Sequence, residues 1–195
     1  MKYIIFGFEH YNPLGIVRSL GENGIKPYGI IIRNSRKITS KSKFFKRVFF
    51  VNSIEEGYDL LKSEFIDDQN FIFSSDDQVE FFLDEHYDEL KDRFIFFNAG
   101  QKGRVAYFQN KYNILKMAEK HGIPFLKTWT VDKGEIPDDI QYPIITKAII
   151  STLDNWKGDM IICHNENDLR NAYKIIRSPK VLLQKYIVKK NELCM

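Results

Sequence analysis

Tyr142-Pro143-Ile144-Ile145-Thr146-Lys147-Ala148-Ile149-Ile150 sets a lysine in the middle of an apolar run. The run has the length and β-branched content of a buried strand. An ammonium left unpaired there costs roughly several kcal/mol. Something anionic is therefore expected to meet Lys147, either a neighbouring carboxylate or a bound ligand. The next residues favour a ligand. Ser151-Thr152-Leu153-Asp154-Asn155-Trp156-Lys157-Gly158 is a polar loop with hydroxyls, amides, a lysine and a glycine, and Met160-Ile161-Ile162-Cys163 reads as another strand. A hairpin loop of that composition suits phosphates, which backbone N–H groups and ammonium groups bind well. A plain hairpin turn is the competing reading.

Upstream, Asn110-Lys111 opens a helical pattern carried by Ile114, Leu115 and Ala118 and closed by His121-Gly122. Ile123-Pro124 begins an extended stretch, and Trp129-Thr130-Val131 reads as a strand edge. Downstream, Asn165 is placed to cap a helix from Glu166 to Ile176. Lys180-Val181-Leu182-Leu183-Gln184-Lys185-Tyr186-Ile187 reads as the final strand.

The first hundred residues have a different rhythm. Apolar runs at 3–8, 28–32, 47–51, 70–73 and 93–97 alternate with helical patterns. Pro13 opens the first helix, with Leu14, Val17 and Leu20 at three-residue spacing, and Gly21 and Gly24 close it. Ser53 is an N-cap with Glu55 and Glu56 in the first turn, and Asp76 or Ser75 caps a further helix. Such alternation predicts an open parallel sheet with helices on both faces. Ligands of that architecture sit at the carboxyl ends of strands. Those ends carry Phe8-Glu9-His10, Ser74-Ser75-Asp76-Asp77 and Asn98-Ala99-Gly100. Glu9, His10, Asp76 and Asp77 are thus candidates to touch a carboxylate substrate, although a helix cap is the simpler role for Asp76. No glycine-rich dinucleotide fingerprint is present, since Gly7 to Gly15 has the wrong spacing.

The chain has 195 residues, 44% hydrophobic and 28% charged, with 16 Phe and 10 Tyr. That composition supplies a real core and argues against disorder. The net charge of +3 is too mild to indicate a nucleic-acid partner. The one basic cluster, from Arg33 through Arg36, Lys37, Lys41, Lys43 and Lys46 to Arg47, is broken by Ser, Asn and Thr and reads as a solvated connecting loop. Phosphate or nucleic-acid binding is its alternative. Cys163 and Cys194 have no metal-ligand spacing and suggest no disulfide scaffold. The apolar start is too short to span a membrane, so a cytoplasmic protein with no membrane partner is expected.

The ordered set from Asn110-Lys111 through Gly122-Ile123-Pro124, Tyr142 to Lys147, Lys157-Gly158 and Leu182 to Ile187 resembles the ATP-grasp superfamily. Pro13-Leu14-Gly15-Ile16-Val17-Arg18-Ser19-Leu20-Gly21 after the first strand is similar to the start of its pre-ATP-grasp domain, as in carboxylate–amine ligases related to carbamoyl-phosphate synthase. The fold this resemblance implies is α/β: a parallel-sheet, Rossmann-like pre-ATP-grasp domain at 1–105, then the first α+β subdomain of an ATP-grasp fold at 106–195. The family binds ATP between two subdomains and forms an acyl-phosphate that an amine or thiol attacks. Carried over, Lys111 and Lys147 are the phosphate-contacting lysines, and Ser151 to Gly158, including Lys157, is the mobile phosphate loop. Gln184 is the partner of the adenine amino group, Lys185 and Ile187 offer backbone groups to the ring edge, and Glu192, or else Asn191, takes the ribose hydroxyls. The chain departs from the pattern at Asn110, Ala148, Gln184 and the glycine-poor loop.

The resemblance also implies partners: ATP with Mg²⁺, a small carboxylate substrate and an amine or thiol acceptor, with a homodimer possible through the first domain. The family's metal ligands and transition-state arginine belong beyond Met195. The expectation is therefore an ATP-dependent ligase represented without its metal-binding half, with no catalytic residue of its own and inactive alone. A degenerate, non-catalytic relative that binds a nucleotide or a partner is the alternative.

Overall fold

β1 (Tyr3–Phe8) takes the centre of a five-stranded sheet because both its faces are apolar: Ile4, Ile5 and Phe6 are fully buried. The computed structural model describes residues 1–34, 37–66, 69–149 and 158–188. The chain divides into two compact units, Met1–Ala106 and Tyr107–Met195. Among the described residues no helix is long and apolar enough to cross a membrane.

In the first unit the strand order is β3-β2-β1-β4-β5, with β2 at Tyr28–Ile32, β3 at Arg47–Val51, β4 at Asn70–Ser74 and β5 at Phe94–Ile95. Every pairing is parallel. Helices α1 (Tyr11–Glu22), α2 (Ile54–Glu64), α3 (Asp77–Glu85) and α4 (Tyr87–Leu90) connect the strands, and α5 (Arg104–Gln109) follows. Strand alternation divides the core. Ile4, Phe6, Ile30, Ile32 and Ile72 pack with Tyr58, Leu61, Val79 and Leu83 from α2 and α3. Ile5 and Ile31, one residue out of phase, are equally buried, and α1 packs on β1. Gly57 lets α2 approach this sheet: a Cβ there would lie 2.5 Å from two ring atoms of Phe6.

The caps follow local chemistry. Ser53 Oγ accepts the Glu56 N–H at the start of α2, and Asp76 accepts the Gln78 N–H at the start of α3. The first helix starts earlier than its proline suggests. His10 is its N-cap, and Pro13 occupies its third position. The fifth strand is two residues long rather than five, and a short 3-10 turn at Thr39–Lys41 punctuates the basic stretch after β2.

The second unit opens with α6 (Lys111–Lys120), capped by Asn110 Oδ1 on the Tyr112 N–H. Its sheet is antiparallel, in the order β6-β9-β7-β8, with β6 at Thr128–Asp132, β7 at Ile144–Ala148, β8 at Ile162–Cys163 and β9 at Lys180–Lys185. Asn165 caps α7 (Glu166–Ile175) as its sequence predicts. Val131, Ile144, Val181 and Leu183 face α7 and pack with its Leu169, Ala172 and Tyr173. Residues of opposite parity, including Lys147, Leu182 and Gln184, therefore project from the other face of the sheet. The last strand ends at Lys185, so Ile187 lies outside it and is 54% exposed.

Candidate nucleotide site

That second face carries a cleft of about 170 Å³ lined by Lys111, Ile114 and Leu115 of α6 and by Thr128, Lys147, Leu182 and Gln184 of the sheet. Register explains the grouping. Thr128 stands opposite Gln184 across β6 and β9, and Lys147 stands opposite Leu182 across β7 and β9. The Lys111 N–H donates to the Ile149 carbonyl at 3.2 Å, which ties the start of α6 to the chain just past β7.

Lys147 is half-buried, and its Nζ donates to Gln184 Oε1 at 2.8 Å. The Gln184 Nε2 in turn donates to Thr128 Oγ1 at 2.9 Å. Among the described residues the partner of this ammonium is a neutral amide rather than a carboxylate. An amide oxygen orients the ammonium without cancelling its charge, whereas a carboxylate would compete with any incoming anion. Ile114, Leu115 and Leu182 supply an apolar flank beside this cation, which suits a ligand that is part flat and apolar and part anionic.

The base of the β7–β8 connection is firmly held. Thr146 Oγ1 donates to the Asp159 carbonyl at 2.6 Å and accepts the Ile161 N–H at 3.0 Å. The Asp159 carboxylate accepts the Ser178 hydroxyl at 2.7 Å, and both residues are buried. Gly158 is exposed in the turn just before this anchor.

Of the residues expected at a nucleotide, Lys111, Lys147 and Gln184 share the one cleft. Lys185 is exposed, and its N–H already donates to the Lys127 carbonyl at 2.9 Å. Ser151, Lys157, Asn191 and Glu192 lie outside the described residues. Thr128, Leu182, Ile114 and Leu115 had no motif to announce them, although the pairing of Thr128 with Gln184 would have identified the threonine once the register was known.

The strand ends of the first unit are largely committed to structure. Glu9 is buried and binds backbone N–H groups at 38–40, while His10 Nδ1 accepts the Asn12 N–H at 3.4 Å as a cap. Burial raises the Asp76 carboxyl above its ordinary value, against the opposing hydrogen bonds from the Gln78 and Val79 backbone. Burial raises Glu80 further, to about 7, with a Ser74 contact opposing the shift and Asp77 and Asp84 adding to it. Among the described residues no group of three or more His, Cys, Asp or Glu side chains could hold a metal ion.

The fold, a parallel α/β unit followed by a unit with an antiparallel sheet, is shared with solved ATP-grasp ligases. Among solved structures, the chain is similar to an L-amino acid ligase from Bacillus licheniformis, with 10% identity over 96% of this chain and 44% of that one, at a TM-score of 0.69. It is also similar to the ADP complex of an N5-carboxyaminoimidazole ribonucleotide synthetase, with 14% identity over 95% and 47% of the two chains, TM-score 0.70. For a D-alanine–D-alanine ligase from Bacillus anthracis the values are 13%, 96%, 57% and 0.59. The chain spans about half the length of the solved ligases it matches. No family model matches the chain, and no curated protein matches it.

Proposed function

We propose that this chain is the nucleotide-presenting half of an ATP-dependent carboxylate–amine or carboxylate–thiol ligase. The observation that carries the reading is the half-buried Lys147, oriented by the neutral Gln184 in the same cleft as Lys111. Two lysines there would meet the polyphosphate, and the apolar residues of α6 and β9 would flank the base. Structures described as complexes with ATP or ADP among the similar ligases support the nucleotide.

A cleft of about 170 Å³ is smaller than the roughly 300–1,000 Å³ of small-molecule sites. We therefore assign this unit one wall of the nucleotide site and leave the remaining contacts, the metal ligands and the chemistry to the part of the ligase fold that this chain does not match. On this reading ATP activates a small carboxylate as its acyl-phosphate, and an amine or thiol displaces the phosphate. Gln184 has both ends of its amide engaged, so a contact between its side chain and adenine would have to replace one of these two bonds.

Calorimetric titration with ATP and Mg²⁺ tests this. Removing a charge-assisted contact costs about 1.5–3 kcal/mol, so Lys147→Ala should bind at least roughly tenfold more weakly than wild type. Equal affinities, or no saturable binding by the wild-type chain, would refute the assignment.

A further inference from the structure

A second concavity, of about 540 Å³, lies in the first unit and is lined by Glu9, Arg33, Asn34, Lys37, Ser40, Lys41 and Phe50. It forms where β1, β2 and β3 end side by side, with Phe8 paired to Ile32 and Ile32 to Val51. Residues 38–40 are held there by Glu9. One carboxylate oxygen, Oε2, accepts the N–H groups of Ile38, Thr39 and Ser40 at 3.0, 2.8 and 3.2 Å. The Glu9 carbonyl accepts Asn34 Nδ2 at 3.2 Å, and the Thr39 hydroxyl donates to the His10 carbonyl. The walls of this concavity are therefore built rather than incidental.

Three cations, Arg33, Lys37 and Lys41, line it, and none forms an ion pair among the described residues. Like charges gathered around one concavity repel, and an anionic ligand relieves that repulsion. Beneath them Glu9 is only 2% exposed, and its second oxygen, Oε1, has no hydrogen-bond partner. A buried acceptor without a donor is costly. Phe50 is 45% exposed, and the Arg33 guanidinium sits 5.4 Å from its ring centroid, so one wall offers a flat carbon face.

We propose that this concavity binds a phosphomonoester that also carries hydroxyl or amino donors, a sugar phosphate in chemical class. Three cations against one carboxylate leave two positive charges, which match a phosphate dianion better than a single carboxylate. The phosphate meets Arg33, Lys37 and Lys41, a donor of the ligand meets Glu9, and the carbon skeleton lies on Phe50. The volume falls within the usual range of small-molecule sites. This site is separate in its residues from the nucleotide cleft and stands whether or not that cleft binds ATP.

The test is calorimetry at low salt with ribose 5-phosphate, glucose 6-phosphate, inorganic phosphate and glucose as probes, repeated with Arg33→Ala, Lys37→Ala and Lys147→Ala. At least one sugar phosphate should bind saturably and more tightly than inorganic phosphate, while glucose should not bind. Arg33→Ala and Lys37→Ala should each weaken that binding by roughly tenfold, and Lys147→Ala should leave it unchanged. Circular dichroism of the two surface variants separates lost binding from lost folding. Binding indifferent to Arg33 and Lys37, or the absence of saturation by either sugar phosphate, overturns the proposal. So does tighter binding of a single-stranded oligonucleotide with a steep logarithmic salt dependence, which would mark the basic loop as a nucleic-acid surface.

Discussion

Glu80→Gln should make the protein more stable above neutral pH and leave it unchanged in acid. Glu80 lies on α3 with one carboxylate oxygen buried and unpartnered, and burial together with Asp77 and Asp84 lifts its carboxyl to about 7 from an ordinary 4.5. A shift of that size corresponds to roughly 3 kcal/mol for a fully enclosed group. Glu80 is partly open to solvent, so screening reduces the effect to about 1–2 kcal/mol. The folded protein holds this proton more tightly than the unfolded chain. The stability it contributes is complete below about pH 4.5 and is lost as pH rises through about 7. Glutamine keeps the shape and never ionises, so the variant should escape the loss. Denaturant unfolding of wild type and variant at about pH 4.5, 6, 7 and 8 measures it. The curves should coincide at the lowest pH and separate by about 1–2 kcal/mol at the highest, roughly 3–6 °C in Tm. If both proteins lose stability in parallel between about pH 5 and 8, Glu80 is not the group responsible.

Two further outcomes follow from packing. Gly57→Ala places a Cβ 2.5 Å from the ring of the fully buried Phe6, so urea unfolding should show a loss of about 1–3 kcal/mol despite alanine's better helix propensity; a net gain would mean that α2 has room to move outward. Asp159→Ala strands the buried Ser178 hydroxyl and should cost about 2–3 kcal/mol by the same measurement, whereas pairing the change with Ser178→Ala should recover part of the loss; an additive double variant would contradict the coupling.

Local chemistry made much of this structure legible in the chain itself. The apolar runs at 3–8, 28–32, 47–51 and 70–73 became parallel strands because each carries apolar residues on both faces, and Ser53, Asp76, Asn110 and Asn165 cap helices because their oxygens reach N–H groups two or three residues on. What pairing decides was hidden. Nothing near Phe94 shows that its strand stops after Ile95, and nothing near Lys147 names its partner, since Gln184 reaches it only through the β7–β9 register. Strand polarity was misleading in one respect. Lys147 is flanked by apolar residues, but alternation buries Ile144, Thr146 and Ala148 on one face of the sheet, where Ile144 packs with α7, and turns the lysine to the other face. The Glu9 carboxylate illustrates the same limit: its backbone partners are about thirty positions away.

The central place of β9 in the second sheet has a consequence for biosynthesis. Its six residues pair with β6 on one side and β7 on the other, yet they are made after both. Until they leave the ribosome, β7 has only the two residues of β8 to pair with, and β6 has no strand partner among the described residues. Unpaired edges of that kind recruit other chains. For this half of the molecule, the interval between making β6 and making β9 is when a nascent chain is most exposed to aggregation.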